Sequence, residues 1–411
     1  MEHPLRALRQ RTFASLATPN YRRWFTGQAV SLTGTWMQTV AQSWLVYELT
    51  ASASLLGAVI AVQTLPTLVL GPYGGVVADR LDKRRMLVAL HTAMGVQALL
   101  LGLLTVSGLV ALWHVFVLAG VLGLNRAFES PARQAFVLEM VGPADLRNAV
   151  SLNSVLTNAA RAVGPAVAGI VIAAGGTGFC FLLNAASFVA VVTSLLRMDT
   201  SRITPSTPAR REPGQLRAGL AYVRRTPELA VPLVMMALVG CLAYEFQVVL
   251  PVVARESFGG SADTYGFLTA AMGVGAVAGG LVVAARGRTG TPALVRTAVA
   301  FGTAMLAAAA APSLWVALVA MAAVGAVSVA FLSQGNSTLQ LASAPDMRGR
   351  VMGLWSVAFL GSTPVGGPIA GWVSEQLGGR AGLALGAAAC LVAAGIGVMT
   401  TRRSRGQDRA A

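Results

Sequence analysis

Hydrophobic residues run along this chain in about twelve long stretches that are separated by short polar segments. Each stretch is about 20 residues long, which is the length that an α-helix needs to cross the hydrocarbon core of a bilayer. The pattern predicts an all-α membrane protein with twelve transmembrane helices. The predicted spans are 24–47, 55–78, 86–109, 112–133, 148–173, 178–196, 229–253, 265–285, 293–311, 314–337, 351–374 and 382–400.

The second half of the chain repeats short motifs of the first half in the same order. Residues 145–150, Asp-Leu-Arg-Asn-Ala-Val, recur as residues 346–351, Asp-Met-Arg-Gly-Arg-Val, and Gly164-Pro165 recurs as Gly367-Pro368. A duplicated six-helix unit is therefore expected, with a substrate site near the membrane midplane between the halves. The predicted division is a bundle at 1–196, a cytoplasmic linker at 197–228 and a bundle at 229–411. The linker is expected to hold a short amphipathic helix, although its first half fits a disordered segment equally well.

Positive charge is unequally distributed between the two sides of the predicted membrane. The 411-residue chain is 55% hydrophobic and 11% charged, with 31 Lys and Arg residues against 16 Asp and Glu residues and a formal net charge of +15. With a cytoplasmic N-terminus, the basic residues fall in cytoplasmic loops, ends or span edges, apart from Arg255 and Arg380 in outer loops and Arg126 and Arg161 inside spans. The positive-inside rule then places both termini in the cytoplasm. Because the basic residues face anionic lipid and cytosol, the charge does not indicate a nucleic-acid partner.

The cysteines do not indicate a metal or a cofactor. Cys180, Cys241 and Cys390 each lie in an apolar run, without the spacing of metal ligands or of a disulfide pair. We expect buried, unreactive thiols, no metal site and no cofactor.

A segment rich in glycine and charge joins the second and third predicted spans. Residues 71–85 read Gly-Pro-Tyr-Gly-Gly-Val-Val-Ala-Asp-Arg-Leu-Asp-Lys-Arg-Arg. This segment resembles the signature loop of the major facilitator superfamily, Gly-x-x-x-Asp-Arg-x-Gly-Arg-Lys, although Asp82 stands where a glycine is usual. The resemblance implies a cytoplasmic gate that locks against the start of span eleven, and an aspartate can meet a helix N-terminus there. The basic cluster could instead set only the topology, and both roles can hold. The implied gate residues are Gly75, Asp79, Arg80, Lys83 and Arg84.

Span four contains charged residues that share one helix face. Arg126, Glu129 and Arg133 are spaced i, i+3 and i+7. The resemblance to the superfamily aligns Arg126 with the conserved arginine of span four, which is linked to proton coupling. The alternative is a buried structural ion pair between Arg126 and Glu129. An ionisable residue inside the membrane is a functional candidate by default.

Span five carries Gly164-Pro165, which resembles the Gly-Pro motif of superfamily antiporters, although Ala168 stands where a glycine is usual. In the family this motif bends and thins span five so that it packs against span eight. A Gly-Pro pair could also be only a kink. Arg161 lies in the same span and is expected to compete with Arg126 for Glu129.

Glu245 is the acidic residue of the second half that lies well inside a predicted span. A carboxylate in a low-dielectric site can exchange protons. Glu245 is therefore a candidate for proton or cation handling, and the alternative is a water-capped residue near the outer end of the cavity. His91 in span three is interpreted as a satisfied packing residue.

Spans one, four, seven and ten line the cavity in this superfamily, and polar or aromatic residues there suit a bulky amphipathic solute. The same polar residues could simply bond neighbouring helices. The cavity candidates are Gln28, Trp36, Gln38, Phe128, Tyr244, Phe246, Gln334 and Asn336.

The resemblance becomes more specific at residues 129–136, 145–149 and Asn153, which look like the enterobactin-exporter and macrolide-efflux branch of the superfamily. It implies a major facilitator fold and a monomeric, proton-driven exporter of siderophores or drug-like molecules in a bacterial inner membrane. Its partners would be a small-molecule substrate, protons and the lipid bilayer. An importer of a small nutrient, by facilitation or symport, is disfavoured by the Gly-Pro motif and by the lack of clustered carboxylates. A membrane enzyme or receptor would need a catalytic cluster or a sizeable soluble domain, and the sequence offers neither.

Overall fold

The structure is a computed structural model that describes residues 12–204, 215–286, 289–344 and 347–407. These residues form helices and connecting turns, and no strand is found among them. The helices are α1 Pro19–Thr50, α2 Ala53–Arg80, α3 Lys83–Val106, α4 Leu112–Gly175, α5 Thr177–Leu196, α6 Gln215–Arg225, α7 Pro227–Leu242, α8 Phe246–Val252, α9 Ala262–Arg286, α10 Thr291–Ala309, α11 Leu314–Ala342, α12 Arg348–Leu360, α13 Thr363–Leu377 and α14 Gly379–Gln407, with 3₁₀ turns at Ala14–Ala17 and Thr200–Arg202 and a π-helical turn at Val253–Ser257.

The fourth and fifth predicted spans follow each other without a long loop in α4, and most of the loop expected between them at 134–147 is helical. α4 therefore consists of two helices that meet at a kink. It is interrupted at Gly142, whose φ of 71° and ψ of 174° are not helical. Glycine tolerates this positive φ, and Pro143 follows directly. The chain therefore changes direction at Gly142 without leaving helical structure on either side.

Nine helices among the described residues are long and apolar enough to cross a membrane, against twelve predicted spans. The difference has three local causes. Glutamine, serine and threonine lower the mean hydropathy of α1, although this helix has 32 residues. The fourth and fifth spans merge in α4, and the eleventh span is divided into α12 and α13, which have 13 and 15 residues.

Spans seven and eleven are broken helices, where the sequence predicts continuous ones. Span seven ends as α7 at Leu242 and resumes as α8 at Phe246. Span eleven is interrupted at Gly361 and Ser362. Broken helices inside a membrane free backbone groups and often mark binding sites in transporters.

The expected amphipathic helix of the linker is present as α6. Val223 is 3% exposed, whereas Arg224 and Arg225 are exposed. The hydroxyl of Tyr222 accepts a hydrogen bond from the backbone N–H of Ala344 at 3.2 Å. One face of α6 is thus packed on protein. Residues 205–214 of the linker, Asp346 of the repeated motif and both chain ends lie outside the described residues.

The chain forms two compact units. One contains the residues up to Gln42 together with Leu65–Arg210, and the other contains Ser43–Thr64 together with the residues from Arg211 onward. Within the second unit, small residues allow close packing of α9 on α11. A Cβ on Gly275 would lie 1.8 Å from the carbonyl oxygen of Ala322, so only glycine fits there. The division into bundles at 1–196 and 229–411 stays a prediction.

The orientation of the chain is testable at two exposed serines. With the native cysteines replaced, Ser261→Cys is expected to react with an impermeant maleimide from outside intact cells. Ser201→Cys is expected to react only after permeabilisation, because the arginine-rich segment that contains it should stay cytoplasmic. Reaction of both cysteines from outside would contradict the predicted topology.

Candidate functional site

Lys83 of the gate motif forms a buried ion pair that joins α3 to α4. Its Nζ lies 2.8 Å from Oε1 of Glu139, and the two side chains are only 5% and 6% exposed. Around them lies an apolar cluster. Removing one member of such a pair leaves an uncompensated buried charge, so the two residues act as a unit.

Two other residues of the loop cap helix ends. The guanidinium of Arg84 donates to the carbonyl oxygens of Leu195 and Leu196 at 2.7 and 2.9 Å, where a cation is favoured at the C-terminus of α5. The carboxylate of Asp82 accepts the backbone N–H of Arg85 at 2.9 Å and is the N-cap of α3. This cap gives a physical reason for an aspartate where the family pattern has a glycine.

The remaining gate residues lie at the end of α2. Gly75 is buried, Asp79 is half-buried and Arg80 is exposed. Next to Gly75, Gly74 brings α2 against α4, since a Cβ on it would lie 2.3 Å from the carbonyl oxygen of Ala127. The gate role of these residues stays a prediction.

On α4, Glu129 pairs with Arg133. Arg133 lies one helical turn after Glu129, and its Nε donates a hydrogen bond to Glu129 Oε1 at 2.8 Å. Arg126 is half-buried on the same helix, and no ion pair to it is found among the described residues. The ion-pair partner of Glu129 is thus Arg133, whereas the sequence analysis predicted Arg126 or Arg161. This arrangement leaves one carboxylate for two guanidinium groups on this helix face.

His91 of α3 faces the same carboxylate. Its Nε2 lies 4.0 Å from Glu129 Oε1, and its side chain is 4% exposed. Neither ring nitrogen has a hydrogen-bond partner within the described part of the chain. The ring packs near Phe188 as expected, but the hydrogen bonds of a satisfied residue are not found there within the described ranges. A buried polar group without a partner is destabilising and calls for an explanation.

Arg161 lies against α1. Its guanidinium carbon is 4.9 Å from the centroid of the Trp36 ring, a cation–π geometry. One turn further, a Cβ on Gly164 would lie 2.6 Å from Trp36 Cβ and 2.9 Å from the carbonyl oxygen of Thr33. Pro165 is buried inside the helix. Within its own unit, the Gly-Pro motif therefore gives α4 close contact with α1.

Glu245 lies at the break in span seven and is 4% exposed. Its backbone oxygen accepts the N–H groups of Val248 and Val249, which starts α8. The Thr363 side chain hydrogen-bonds its carboxyl group. Oxygen Oε1 has no partner among the described residues.

The two helix breaks of the second unit meet around this carboxyl group. A Cβ on Gly366 would lie 2.9 Å from Glu245 Oε1 and would collide with the carbonyl oxygen of Cys241. Gly367 lies beside Oε2 and against Gly57 of α2. Three close-packed helices therefore converge where Glu245 is buried.

Further along the same helices, Glu375 holds the start of α2. Its Oε2 accepts the hydroxyl of Ser52 at 2.7 Å and the backbone N–H of Ser54 at 2.8 Å. Hydrogen bonds from Ser54 and Ser52 keep the pKa of the Glu375 carboxyl below its ordinary value. The carboxylate caps the helix N-terminus, where negative charge is favoured.

Some of the residues predicted to line the substrate cavity form hydrogen bonds between helices, and others are partly exposed. Gln38 donates to Gln97 at 3.1 Å and accepts from Asn184 at 2.6 Å, so it joins three helices of the first unit. The Tyr244 hydroxyl donates to the carbonyl oxygen of Ser328 at 2.7 Å, and its ring meets Phe359 edge-on at 4.8 Å. Gln28 and Phe246 are buried, whereas Trp36 and Phe128 are partly exposed. The side-chain oxygen of Gln334 accepts a hydrogen bond from the Thr297 hydroxyl. The side-chain oxygen of Asn336 accepts one from the Gln340 amide.

Sequence reasoning missed Glu139. It falls in the expected loop between spans four and five, so the span pattern does not identify it as a buried charge. A signal was available, because the apolar residues around it, from Phe136 to Val141, continue the pattern of a buried helix. One acidic residue inside such a stretch indicates a buried partner, and Lys83 is that partner.

Comparison with known proteins identifies the class. The sequence model of the transmembrane secretion effector family matches residues 10–410. The chain belongs to this family, and therefore to the transporters of the major facilitator superfamily. Its family and its long apolar helices make it a multi-pass membrane protein.

Three relatives are about one quarter identical to this chain over the aligned residues. The staphyloferrin A transporter of Staphylococcus aureus is 26% identical over 262 residues, covering 63% of this chain and 65% of the relative, so that match spans somewhat less than two thirds of that transporter. The multidrug efflux pump Tap of Mycolicibacterium fortuitum is 28% identical over 84% of this chain and 87% of the relative. The enterobactin exporter EntS of Shigella boydii is 24% identical over 87% of this chain and 86% of the relative.

Among solved structures, a crystal structure of the peptide transporter POT, in a single-residue variant, is similar with a TM-score of 0.75. It is 12% identical in sequence, and the match covers 94% of this chain and 95% of that one. The predicted major facilitator fold is confirmed. At this identity the likeness concerns the fold alone.

Proposed function

We propose that this protein exports siderophore-like or drug-like small molecules by proton antiport. The names of its relatives, a staphyloferrin A transporter, an enterobactin exporter and a multidrug efflux pump, support the substrate class. Alternating access between two related halves is the working principle of this architecture. The substrate and the driving proton would occupy the membrane interior in turn.

The observation that carries the proposal is the buried carboxyl group of Glu245. An ionised carboxylate there is 4% exposed, and one of its oxygens has no hydrogen-bond partner in the described part of the chain, so it bears a large desolvation penalty. Proton uptake removes the charge and hence the penalty. Because the group touches the glycines of span eleven, a change in its charge acts where two broken helices meet. Glu245 is therefore the proposed proton-exchange site.

The charged residues of α4 are assigned a second role in the proposal. Arg126 and Arg161 are two cations in the membrane region, and the carboxylate of Glu129 is bound to Arg133. This excess of positive charge would sense the proton or change partners between states. Arg126→Ala and Arg161→Ala are expected to impair insertion or folding as well as transport, since each changes the charge balance inside the membrane.

Purified protein in liposomes tests the proposed function. An imposed proton gradient should drive accumulation of enterobactin or of the macrolide erythromycin, accompanied by proton movement in the opposite direction. Collapse of the gradient with an ionophore should stop uphill movement of the solute. Movement of solute and protons in the same direction would instead identify a symporter, and equilibration without proton movement would identify a facilitator.

The gate role is tested at Asp79. Asp79→Asn is expected to slow transport severalfold while the protein remains folded and inserted. Loss of a partly buried charge–dipole contact shifts a conformational balance by about 1–2 kcal/mol. The measurement is the initial efflux rate at matched abundance, with Asp79→Glu as the variant that retains the charge. An Asp79→Asn protein that transports at the wild-type rate would show that the residue serves no gate.

A further inference from the structure

The imidazole of His91 has a position that a packing role does not explain. We propose that His91 is a second proton-binding site, and that its protonated ring binds the carboxylate of Glu129 in competition with Arg133. The inference rests on the proton coupling proposed above, and it adds a site in the first unit to the one at Glu245 in the second.

The His91 ring lies close to the Glu129 carboxylate but does not form a hydrogen bond with it. Nε2 is 4.0 Å from Glu129 Oε1, and a charge-assisted hydrogen bond needs about 2.7–2.9 Å. A shift of about 1 Å would close that contact. Both ring nitrogens lack partners among the described residues, so no existing hydrogen bond has to break.

The surroundings of His91 contain few other charges. On α4, the groups that face it are Glu129 and Arg133, with Arg126 one turn beyond Glu129. On α5, the Phe188 ring lies 5.9 Å away, and Cys180 is the only ionisable side chain of that helix. On α3 itself, Lys83, Arg84 and Arg85 lie two turns away, at the start of the helix.

Proton uptake would change the bonding of the cluster in a defined way. A neutral imidazole has one N–H donor and one acceptor nitrogen, whereas the protonated ring has two donors. The proton adds to the lone pair of the acceptor nitrogen, and Nε2–H can then donate to Glu129 Oε1. This oxygen already accepts from Arg133 Nε at 2.8 Å, so the two cations share or exchange one carboxylate. Loss of the proton to water on the other side restores the starting state.

Dependence on pH and on Glu129 distinguishes a proton site from a packing residue. A packing histidine stays neutral whatever happens to Glu129. A proton site becomes charged as the pH falls, and it depends on the nearby anion because a buried cation needs a counter-charge.

Nitrogen NMR of the histidine ring tests the proposal directly. The chain has three histidines, so a His3→Gln/His114→Gln variant keeps His91 as its single histidine. We expect its imidazolium signal to appear as the pH falls from about 8 to about 5. Adding Glu129→Gln should weaken this signal at least severalfold at a given pH, whereas adding Glu48→Gln, at an exposed carboxylate, should leave it unchanged. A ring that stays neutral down to about pH 5, or a signal that is indifferent to Glu129→Gln, overturns the proposal.

Proton counting in liposomes provides the functional measurement. With the probe that the wild type exports, enterobactin or erythromycin, His91→Gln is expected to move one proton fewer per molecule of solute. A merely structural role would lower the rate and leave this ratio unchanged, which contradicts the proposal. If the wild type moves no protons with either probe, the proposed antiport fails, and the NMR experiment still decides whether His91 binds a proton. If His91→Gln does not fold, that experiment alone decides, because it retains the native residue.

Discussion

Glu245→Gln is expected to abolish uphill efflux driven by a proton gradient, while downhill movement of substrate persists. The amide has nearly the same size as the carboxyl group and can keep the bond to Thr363, but it cannot take up or release a proton. The expected loss of gradient-driven efflux is at least tenfold. The measurement is solute accumulation in liposomes over a range of imposed pH gradients.

Glu48→Gln is the matched control for that experiment. Glu48 is an exposed glutamate near the end of α1, so its replacement removes a carboxylate without touching the buried site. Efflux by Glu245→Gln with the wild-type rate and pH dependence would reduce Glu245 to a cavity-lining residue. The coupling site would then have to be sought at Glu129 or Asp79.

Glu139→Ala is expected to lower the free energy of unfolding by about 3–5 kcal/mol, because it leaves the Lys83 ammonium buried without its partner. The Lys83→Met/Glu139→Leu double variant should recover most of this loss, since replacement of both charges by apolar side chains removes the desolvation penalty. Thermal unfolding of the purified protein in detergent measures the effect.

An exposed ion pair in the same loop supplies the comparison. Arg85 lies 3.8 Å from Asp82, and the two side chains are 85% and 58% exposed. Arg85→Ala is therefore expected to change the unfolding free energy by less than about 1 kcal/mol. If Glu139→Ala and Arg85→Ala had equally small effects, the buried pair would not stabilise the fold. If the double variant regained stability but lost transport, the pair would belong to the gate.

The two helix breaks show where sequence patterns lose information. Residues 229–253 and 351–374 are apolar enough to predict continuous spans. The chain nevertheless leaves helical geometry at Glu245, and α12 ends before α13 begins at Gly361–Ser362, although both of these residues keep helical backbone angles. Hydropathy reports the mean environment of about 20 residues and is insensitive to a change in two or three backbone angles.

The charged residues show a similar limit. Spacing correctly places Arg126, Glu129 and Arg133 on one helix, but the sequence pairs Glu129 with Arg126, whereas the structure pairs it with Arg133. The i, i+3 and i, i+4 spacings both bring side chains together on a helix, so spacing alone cannot choose between them. His91, which lies in a different helix earlier in the chain, cannot be related to Glu129 by any local pattern.

The sequence by itself determined the membrane class, the transporter superfamily, the helical fold and the identity of the few ionisable residues inside apolar stretches. These properties depend on composition, periodicity and short motifs, because lipid forces each span to be apolar and internally hydrogen-bonded. The tertiary structure alone decided that Lys83 pairs with Glu139, that His91 faces Glu129 and that Glu245 lies where two broken helices meet. These contacts join residues far apart in the chain. Their formation depends on how glycine-lined helices pack, and that packing is a property of pairs of helices and not of any single segment.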